Sequence, residues 1–335
     1  MIRDMFGSVM LLSALVGNVA AEETPNKGSF GDYLDGLKQL AIEKGINQSI
    51  IDTAFVQIKP FKKAVVSDIN ELHSAKPQAD SSLETYLPTA VPEDKVVIAR
   101  ALFKANHNEL TRISEKYGVQ PRFIVALWGL ESDFGGKIGS YPVLSVTSSL
   151  AYQGTDEAFY RSEFIAALKI LEQGQLNFDE LTSSWTGTMG QTQFTPSTYL
   201  AFAQDGDGDG KKDIWGNQQD AFASIAYYLQ QAGWKAEETW GRQVKLPDNF
   251  DPALTGLNIQ KSFNQWQALG VRRYDGSDLP DRDDMQTSLV MPDGIKGRKY
   301  LVYDNYRALM KRQTSDYFAL TVTYLSERIK YPAIN

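Results

Sequence analysis

Glu131 is the residue of this chain whose position best suits proton transfer. It stands near the end of the apolar segment PRFIVALWGLESDFGG, residues 121–136. A proline suits a first helical turn and paired glycines suit a helix stop, so the segment predicts a helix from about Pro121 to Ser132. The positions three, four, seven and eight before Glu131 are apolar and share its helical face: Trp128, Leu127, Ile124 and Phe123.

A carboxyl group in that position should be hard to ionise. Burial disfavours its charge, and so does the carbonyl end of the helix dipole, so both effects raise the pKa of Glu131. A carboxylic acid with a raised pKa can donate a proton near neutral pH, as a general acid must. The spacing leaves open the alternative that Glu131 turns to solvent or pairs with a lysine such as Lys137.

The segment DGDGDGKKD, residues 205–213, repeats the beginning of an EF-hand calcium loop. Carboxylates alternate at Asp205, Asp207 and Asp209, and a glycine stands at the sixth position, Gly210. Oxygen ligands converge on one ion in such a loop, and the three charges would repel one another without a cation. The pattern favours Ca²⁺ over the alternative, a solvated acidic turn.

The end of this loop departs from the EF-hand pattern. The twelfth position is Gly216, where a bidentate glutamate would stand. Asp220 is therefore the predicted closing ligand, from an enlarged loop, and Lys211 would contribute its backbone carbonyl.

A third stretch, SWTGTMGQTQFTP at residues 184–196, is rich in glycine, amides and hydroxyls. Short polar side chains and bare backbone let a ligand come close, and the rings of Trp185 and Phe194 offer flat faces on which sugars stack. This composition predicts a ligand-binding loop, and an ordinary surface loop is the alternative.

Composition argues against several classes of site. The chain has no cysteine, and its two histidines, His73 and His107, lie far apart and outside metal-binding spacings. These facts oppose a thiol nucleophile, a disulfide framework, a zinc peptidase and a serine–histidine triad. The net charge is −7 and the basic residues are dispersed, so nucleic acid is not an expected partner.

Residues 1–21 predict a secretory signal peptide. An apolar run from Val9 to Val16 follows Arg3, and small residues precede a candidate cleavage site after Ala21. The run is too short to span a bilayer, and no comparable run follows. We expect a soluble, exported protein without a stable membrane anchor, and an exported chain that lacks disulfides fits a bacterial periplasm.

The rest of the chain predicts the elements that position these stretches. The polar residues 67–82 predict an extended surface connection. Helical spacing occurs in six further segments, the first as two helices and the second as one long helix: 30–61, 92–117, 144–152, 157–173, 221–232 and 305–330. A small antiparallel unit is predicted by three short β-like runs: 242–246, 287–291 and 299–303.

Three motifs resemble, in the same order, those of the lytic murein transglycosylase B family. They are LWGLESDFG at 127–135, GTMGQTQFTPS at 187–197, and DGDGDG with DIW within 205–215. The resemblance implies a mainly α (α+β) fold. Its implied parts are a helical lobe from 22–112 and 304–335, a lysozyme-like core with the calcium loop at 113–235, and a small antiparallel β insertion at 236–303.

The resemblance also implies roles for individual residues. Glu131 matches the family's catalytic acid, and Asp205, Asp207, Asp209 and Asp220 match ligands of a structural Ca²⁺. The expected partner is the glycan strand of peptidoglycan, and the protein is expected to be a monomer. Positions that contact the glycan are matched by six residues: Ser184, Gln193, Phe194, Tyr152, Gln313 and Tyr317.

Two residue pairs depart from the family pattern. Arg312-Gln313 stands where an aromatic-asparagine pair is usual, and Thr155-Asp156 stands where paired basic residues are frequent. We expect both departures to change substrate contacts and to leave the catalytic acid untouched, with Arg312 meeting a carboxylate of a stem peptide.

Most glycosidases use two carboxylates, and the obvious partner is missing here. Asp133 is two residues from Glu131 and projects from another side of the helix end. The resemblance implies that Glu131 serves as both acid and base, that the muramyl N-acetyl group stabilises the cationic centre, and that a 1,6-anhydromuramyl end forms. A hydrolytic muramidase and a non-catalytic peptidoglycan-binding protein remain alternatives.

Overall fold

The computed structural model describes residues 28–74 and 82–331, so the predicted signal peptide lies outside the described residues. No helix in these two ranges is long and apolar enough to cross a membrane. The α-helices are α1 (Phe30–Glu43), α2 (Gln48–Phe55), α3 (Lys62–Ser74), α4 (Leu83–Ala90), α5 (Glu93–Ala105), α6 (His107–Tyr117), α7 (Pro121–Ser132), α8 (Val143–Gln153), α9 (Glu157–Glu172), α10 (Pro196–Phe202), α11 (Gln218–Gln231), α12 (Phe263–Ala268), α13 (Asp304–Arg312) and α14 (Asp316–Lys330).

The strands form two antiparallel sheets. Their bounds are β1 (Tyr141–Pro142), β2 (Thr182–Ser183), β3 (Gly241–Lys245), β4 (Lys261–Ser262), β5 (Arg272–Arg273), β6 (Gln286–Val290) and β7 (Tyr300–Val302). Strand β1 pairs with β2, and the larger sheet has the order β4-β6-β7-β3-β5. The three predicted β-like runs correspond to β3, β6 and β7, and the prediction of a mostly helical fold with a small antiparallel sheet is confirmed.

Helix α7 lies at the centre of the main core, with α5, α6, α11 and α14 packed around it. Its predicted bounds are confirmed, but every residue from Phe123 to Gly129 is buried, so the helix is enclosed on all sides and not on one face. The indole of Trp128 meets the rings of Phe134 and Phe222 edge-on, at centroid distances of 5.5 and 5.0 Å. Glu131 thus lies two residues after a stretch of helix that is buried on every side.

Two predictions about the connections are wrong. Residues 67–74 belong to α3. Ala64 on the same helix is buried against Val146 and Leu150 of α8, and this packing stabilises the helix. Residues 75–81 lie outside the described range. The long helix over 92–117 breaks at Asn106, whose side-chain amide donates to the Leu102 carbonyl at 3.0 Å.

The C-terminal helical segment also breaks into two helices. Helix α13 ends at Arg312, and Ser315 caps α14 by accepting a hydrogen bond from the Phe318 amide at 3.3 Å. Helix α14 packs on α4, α5 and α7, whereas α1 to α3 pack on α8 and α9. The C-terminal helix therefore contacts the N-terminal part of the chain through α4 and α5. The break after α13 sets the position of Arg312.

Gly129 lets the chain fold back over α7. A Cβ at this position would overlap the ring of Phe134. We expect Gly129→Ala to destabilise the protein by about 1–3 kcal/mol despite the better helix propensity of alanine. Gly36 of α1 is the matched control, because it is exposed and a Cβ there meets nothing within 4 Å. Gly36→Ala should stabilise by about 0.4–1 kcal/mol. Denaturant unfolding of both variants checks the sign of each effect.

Candidate active site

The end of α7 is a sharp turn with unusual backbone. Asp133 and Phe134 both have positive φ, 53° and 57°, so the left-handed stop comes at Asp133 and not at the glycines that follow. The hydroxyl of Ser132 donates to the Trp128 carbonyl at 3.0 Å and accepts from the Gly135 amide at 3.1 Å. These bonds fix the last helical turn, in which Glu131 stands.

The carboxyl group of Glu131 is largely buried, with 17% of its side chain exposed, and forms an ion pair with Arg312. Arg312 Nε donates to Glu131 Oε1 at 2.9 Å. Burial raises the pKa of Glu131, and the charge and hydrogen bond of Arg312 oppose that rise. The direction of the pKa shift is the one predicted. The alternatives of a solvent-facing side chain or a pair with Lys137 are wrong.

Asp133 is placed for a different role. Its side chain is 43% exposed and binds Lys95 Nζ at 2.7 Å, with Lys137 Nζ at 3.6 Å. The hydrogen bond from Lys95 holds the pKa of Asp133 below its usual range. Asp133 is therefore a carboxylate at neutral pH and a poor proton donor.

Arg312 connects the acid to the amide-rich loop. Its Nη2 donates to the carbonyls of Thr192 and Gln193 at 3.0 and 2.7 Å. The guanidinium also lies 5.4 Å from the ring centroid of Phe194. The expectation that this departure from the family pattern would spare the catalytic acid is wrong for Arg312, because it binds Glu131 directly.

Ser184 and Gln193 belong to one hydrogen-bond network. The hydroxyl of Ser184 lies 2.8 Å from the hydroxyl of Thr188, which donates to Gln193 Oε1 at 2.7 Å. Gln193 has a φ of 49° and donates from Nε2 to the Gly190 carbonyl at 2.8 Å. Since the Gln193 carbonyl binds Arg312, the structure brings Ser184, Gln193 and Glu131 into one connected site.

Phe194 does not offer a face to a sugar. It is 1% exposed, and its backbone pairs with Met189 in an isolated antiparallel bridge. Its ring packs against Tyr228, at a centroid distance of 5.9 Å, and beneath Arg312. The predicted stacking role is wrong because the loop turns this ring into the core, where it supports the guanidinium. Trp185 is partly buried.

Two further predicted contact residues, Tyr152 and Tyr317, have structural partners elsewhere, and a third, Gln313, is exposed. The Tyr152 hydroxyl donates to the Gly28 carbonyl at 2.7 Å, and its ring meets Phe30. Tyr317 donates to Asp293, which also accepts from the Leu83 amide at 2.8 Å and so ties α14 to α4. The side chain of Gln313 is exposed at the end of α13. Their roles toward substrate stay predictions.

The second departure from the family pattern has a local structural role. Asp156 caps α9 by accepting from the Phe159 amide at 3.0 Å, and the Thr155 amide donates to Asp68 at 2.8 Å. These bonds fix the connection between α8 and α9.

Gln191 is a site residue that the sequence did not single out. It accepts at Oε1 from the Trp128 indole at 2.8 Å and donates from Nε2 to the Trp215 carbonyl at 3.0 Å. The backbone N–H of Gln191 donates to the Ile214 carbonyl at 2.8 Å. The motif GQTQF contains two glutamines, and nothing in their local sequence distinguishes the buried brace, Gln191, from Gln193.

The acidic loop brings three carboxylates together. One oxygen from each of Asp205, Asp207 and Asp209 lies within 4.8 Å of the other two. Asp205 accepts from the amides of Gly208 and Gly210 at 2.6 and 2.8 Å. Gly210 has a φ of 88°, the left-handed turn that the EF-hand pattern requires at its sixth position. An all-oxygen donor set of this kind suits Ca²⁺.

Asp220 braces this loop from below. It is fully buried, and its two oxygens accept from the amides of Gly206 at 2.7 Å and Asp213 at 2.6 Å. The Lys211 amide donates to Asp209 Oδ1 at 2.8 Å. Asp220 is not one of the three residues whose oxygens converge, so its role as a ligand, like that of the Lys211 carbonyl, stays a prediction.

Comparison with known proteins identifies the family. A model described as the transglycosylase SLT domain matches residues 29–327. The chain belongs to this family. The predicted resemblance to lytic murein transglycosylases is thereby confirmed.

Two proteins are similar to this transglycosylase-family chain over most of its length. SltB3 from Pseudomonas aeruginosa has been solved in complexes with NAG-NAM-pentapeptide and with NAG-anhNAM-pentapeptide. Its sequence is 37% identical to this chain and its structure superposes with a TM-score of 0.83. The match covers 90% of this chain and 80% of SltB3. Membrane-bound lytic murein transglycosylase B from Escherichia coli K12 is 27% identical over 248 residues, 73% of this chain and 66% of that protein. The chain therefore spans about two thirds of that protein's length.

A more distant neighbour shares the fold. The Escherichia coli lytic transglycosylase Slt35, solved in complex with calcium, has a TM-score of 0.74 and 22% identity, covering 89% of this chain and 92% of that chain.

The buried amide of Gln191 should be a main support of this site. Gln191→Leu keeps the volume but leaves the Trp128 indole N–H and the Trp215 carbonyl unpaired. A buried group without a partner costs about 1–3 kcal/mol, so we expect the free energy of unfolding to fall by that order. Gln57→Leu is the control, because Gln57 is exposed and should change stability by less than about 0.5 kcal/mol. Equal unfolding midpoints for the two variants would remove this role from Gln191.

Proposed function

We propose that this protein is a peptidoglycan lytic transglycosylase that cleaves the β-1,4 bond between N-acetylmuramic acid and N-acetylglucosamine. The observation that carries the proposal is the largely buried carboxyl group of Glu131, paired with Arg312 and at the position that matches the family's catalytic acid. Its pKa is raised by burial, while the nearby Asp133 is held as a carboxylate by Lys95. The complexes of SltB3 with NAG-NAM and NAG-anhNAM pentapeptides support the assignment of substrate and product.

In the first step Glu131 acts as a general acid. Its proton passes to the glycosidic oxygen as the bond from muramyl C1 to that oxygen breaks, and the bonding electrons stay with the leaving N-acetylglucosamine. The carbonyl oxygen of the muramyl N-acetyl group bonds to C1 and carries the positive charge. The substrate thereby supplies the nucleophile, and a second protein carboxylate is not needed.

In the second step the same residue acts as a general base. The muramyl 6-hydroxyl attacks C1, the bond from C1 to the N-acetyl oxygen breaks, and the hydroxyl proton passes to Glu131. The product is a 1,6-anhydromuramyl end, and Glu131 returns to its protonated form. Ser184 and Gln193 would hold the N-acetyl or lactyl group; this part of the proposal is supported by the network that joins both residues to Arg312 beside the acid.

The acidic loop forms part of the same proposal as a structural Ca²⁺ site. Asp205, Asp207 and Asp209 would hold the ion, with the Lys211 carbonyl and Asp220 as the remaining predicted ligands. The converging oxygens and the left-handed Gly210 fit this ion, and the calcium complex of Slt35 supports the choice of metal. When bound, the ion would neutralise the repulsion within the loop.

The proposed setting follows from the substrate. Peptidoglycan strands are the expected partner, and a cleaved signal peptide would deliver a monomeric protein to the periplasm. The proposal includes a lysozyme-like core at 113–235, a helical lobe from 22–112 and 304–335, and a β-rich insertion at 236–303.

The main test is Glu131→Gln with purified peptidoglycan as substrate. The amide keeps the size of the side chain but cannot give up a proton, so cleavage should fall by about 10²–10⁴-fold while glycan binding persists. Mass spectrometry of the wild-type products should show 1,6-anhydro ends, lighter by one water than hydrolysis products. Reducing ends would support a muramidase, and no turnover at all would support a non-catalytic binding protein.

Asp133→Asn is the matched control for that variant. Asparagine tolerates the left-handed backbone at this position, and loss of the exposed pair with Lys95 costs at most about 1 kcal/mol. We expect activity close to wild type. A large loss in Asp133→Asn together with substantial cleavage by Glu131→Gln would place the acid at Asp133.

Wild-type activity should depend on pH in one direction. The acid step needs protonated Glu131, so activity declines as pH rises through the pKa of this residue. Because burial raises that pKa, the decline should begin at a higher pH than for an exposed glutamate. A pH profile of kcat/KM measures it.

Calcium should stabilise the fold. Three carboxylates that repel one another are relieved by a divalent ion, and an ion bound only by the folded state raises its stability. Chelation should lower the melting temperature, and Ca²⁺ should restore it better than Mg²⁺. Asp209→Ala should abolish this response, whereas Asp35→Ala, an exposed aspartate on α1, should retain it. A melting temperature indifferent to chelator, in protein shown to bind Ca²⁺ beforehand, would contradict the assignment.

A further inference from the structure

Arg312 is held by more contacts than an ion pair with Glu131 requires. Its Nε binds the carboxylate, and its Nη2 binds the two carbonyls of residues 192–193. The guanidinium also lies over the rings of Phe194 and Tyr228, at 5.4 and 5.9 Å from their centroids. Only 15% of the side chain is exposed. The Nη2 end of the guanidinium is therefore fixed by two backbone carbonyls, which do not titrate, and its flat face is fixed by two aromatic rings.

This arrangement differs from a surface ion pair in its effect on the carboxylate. A flexible cation would follow Glu131 wherever it turned, whereas a fixed guanidinium holds one oxygen, Oε1, at a defined position. The other oxygen, Oε2, is then left to carry the proton. The loop that contains Ser184 and Gln193 binds the same guanidinium. The guanidinium therefore fixes the position of the Glu131 carboxyl group relative to that loop.

Resting on the proposed transglycosylase function, we propose that Arg312 is a positioning residue of the reaction. It holds Oε1 of Glu131 so that Oε2 meets the glycosidic oxygen, and it stabilises the carboxylate that exists between the acid step and the base step. A residue that serves in both steps must be able to hold and release a proton within one turnover. A buried glutamate without a cation would be poor at releasing it, since ionisation in an apolar site is unfavourable.

The electrostatic consequence follows from the surroundings of α7. Removing Arg312 removes the interaction that opposes the effect of burial, so the pKa of Glu131 should rise. Tyr228 of α11 faces the same ion pair, and its own pKa is raised by burial. Several charged groups on or beside α7 form ion pairs of their own: Lys95 and Lys137 with Asp133, Arg122 with Glu327, Arg112 with Glu109, and Arg328 with Glu93.

The experiment compares four forms of the full chain: wild type, Arg312→Gln, Arg312→Lys and Lys311→Met. Kinetics are measured against pH with purified glycan strands. The pKa of Glu131 is measured separately by carbon NMR of glutamate-labelled protein, with Glu131→Gln to assign the signal. Lys311 is the matched control, because it is the adjacent cation on the last turn of α13 and binds the Ala232 carbonyl at 2.8 Å, away from Glu131.

We expect Arg312→Gln to lower kcat by about 10²-fold, the scale of a misplaced catalytic group, with little change in KM. The alkaline limb of the pH–activity profile of this variant should move to higher pH, and the pKa of Glu131 measured by NMR should move in the same direction. Arg312→Lys keeps a cation without the planar fork, so it should lower kcat by at least about 10-fold while its alkaline limb stays near that of wild type. Lys311→Met should change neither quantity.

Two results would overturn the proposal. The first is a pH–activity profile of Arg312→Gln that coincides with that of wild type. The second is a loss of activity in equal proportion at every pH, with the NMR titration of Glu131 unchanged. That second result would mark a purely structural role. If Arg312→Gln fails to fold, Arg312→Lys decides the matter, and wild-type kcat in that variant overturns the positioning role. Failure of the proposed function is distinguishable, since it would show in the wild-type products before any variant is made.

Discussion

The structure depends on placing a carboxyl group in a largely water-free position and still letting it ionise. Glu131 ends a helix that is buried around its whole circumference, so the cost of desolvation acts directly on its charge. The compensating cation comes from α13, which is distant in sequence. Helices α5, α6, α11 and α14 hold α7 in place, and the break between α13 and α14 brings Arg312 to it. The site therefore exists only where these helices meet.

Backbone strain is concentrated at the same place. Within the described residues, the non-glycine residues with positive φ are Asp133, Phe134 and Gln193, and all three lie beside the acid or bind its arginine. Such conformations cost of the order of 1–3 kcal/mol each and persist when the surroundings determine them. Here the surroundings are the Lys95 pair, the packing of Phe134 on Trp128, and the network that extends from Ser184.

A continuous set of contacts also connects the acidic loop with α7. Asp220 binds the amides of Gly206 and Asp213. The next residues, 214 and 215, present carbonyls to Gln191, whose side chain binds the indole of Trp128, one turn before the acid. An ion in the acidic loop would thus stabilise the segment that supports α7.

Much of this protein was determined by local sequence. The bounds of α7, the alternating aspartates and the three main β runs follow from periodicity and turn residues over short windows, where side-chain spacing is set by backbone geometry. Only the tertiary structure decided which cation meets Glu131, which glutamine of GQTQF is the buried brace, and that the ring of Phe194 faces the core. Each of these depends on which distant element packs there, and neither spacing nor composition carries that information. The break at Asn106 and the helix α3 were missed for the same reason, because packing on neighbouring helices outweighs weak local preference.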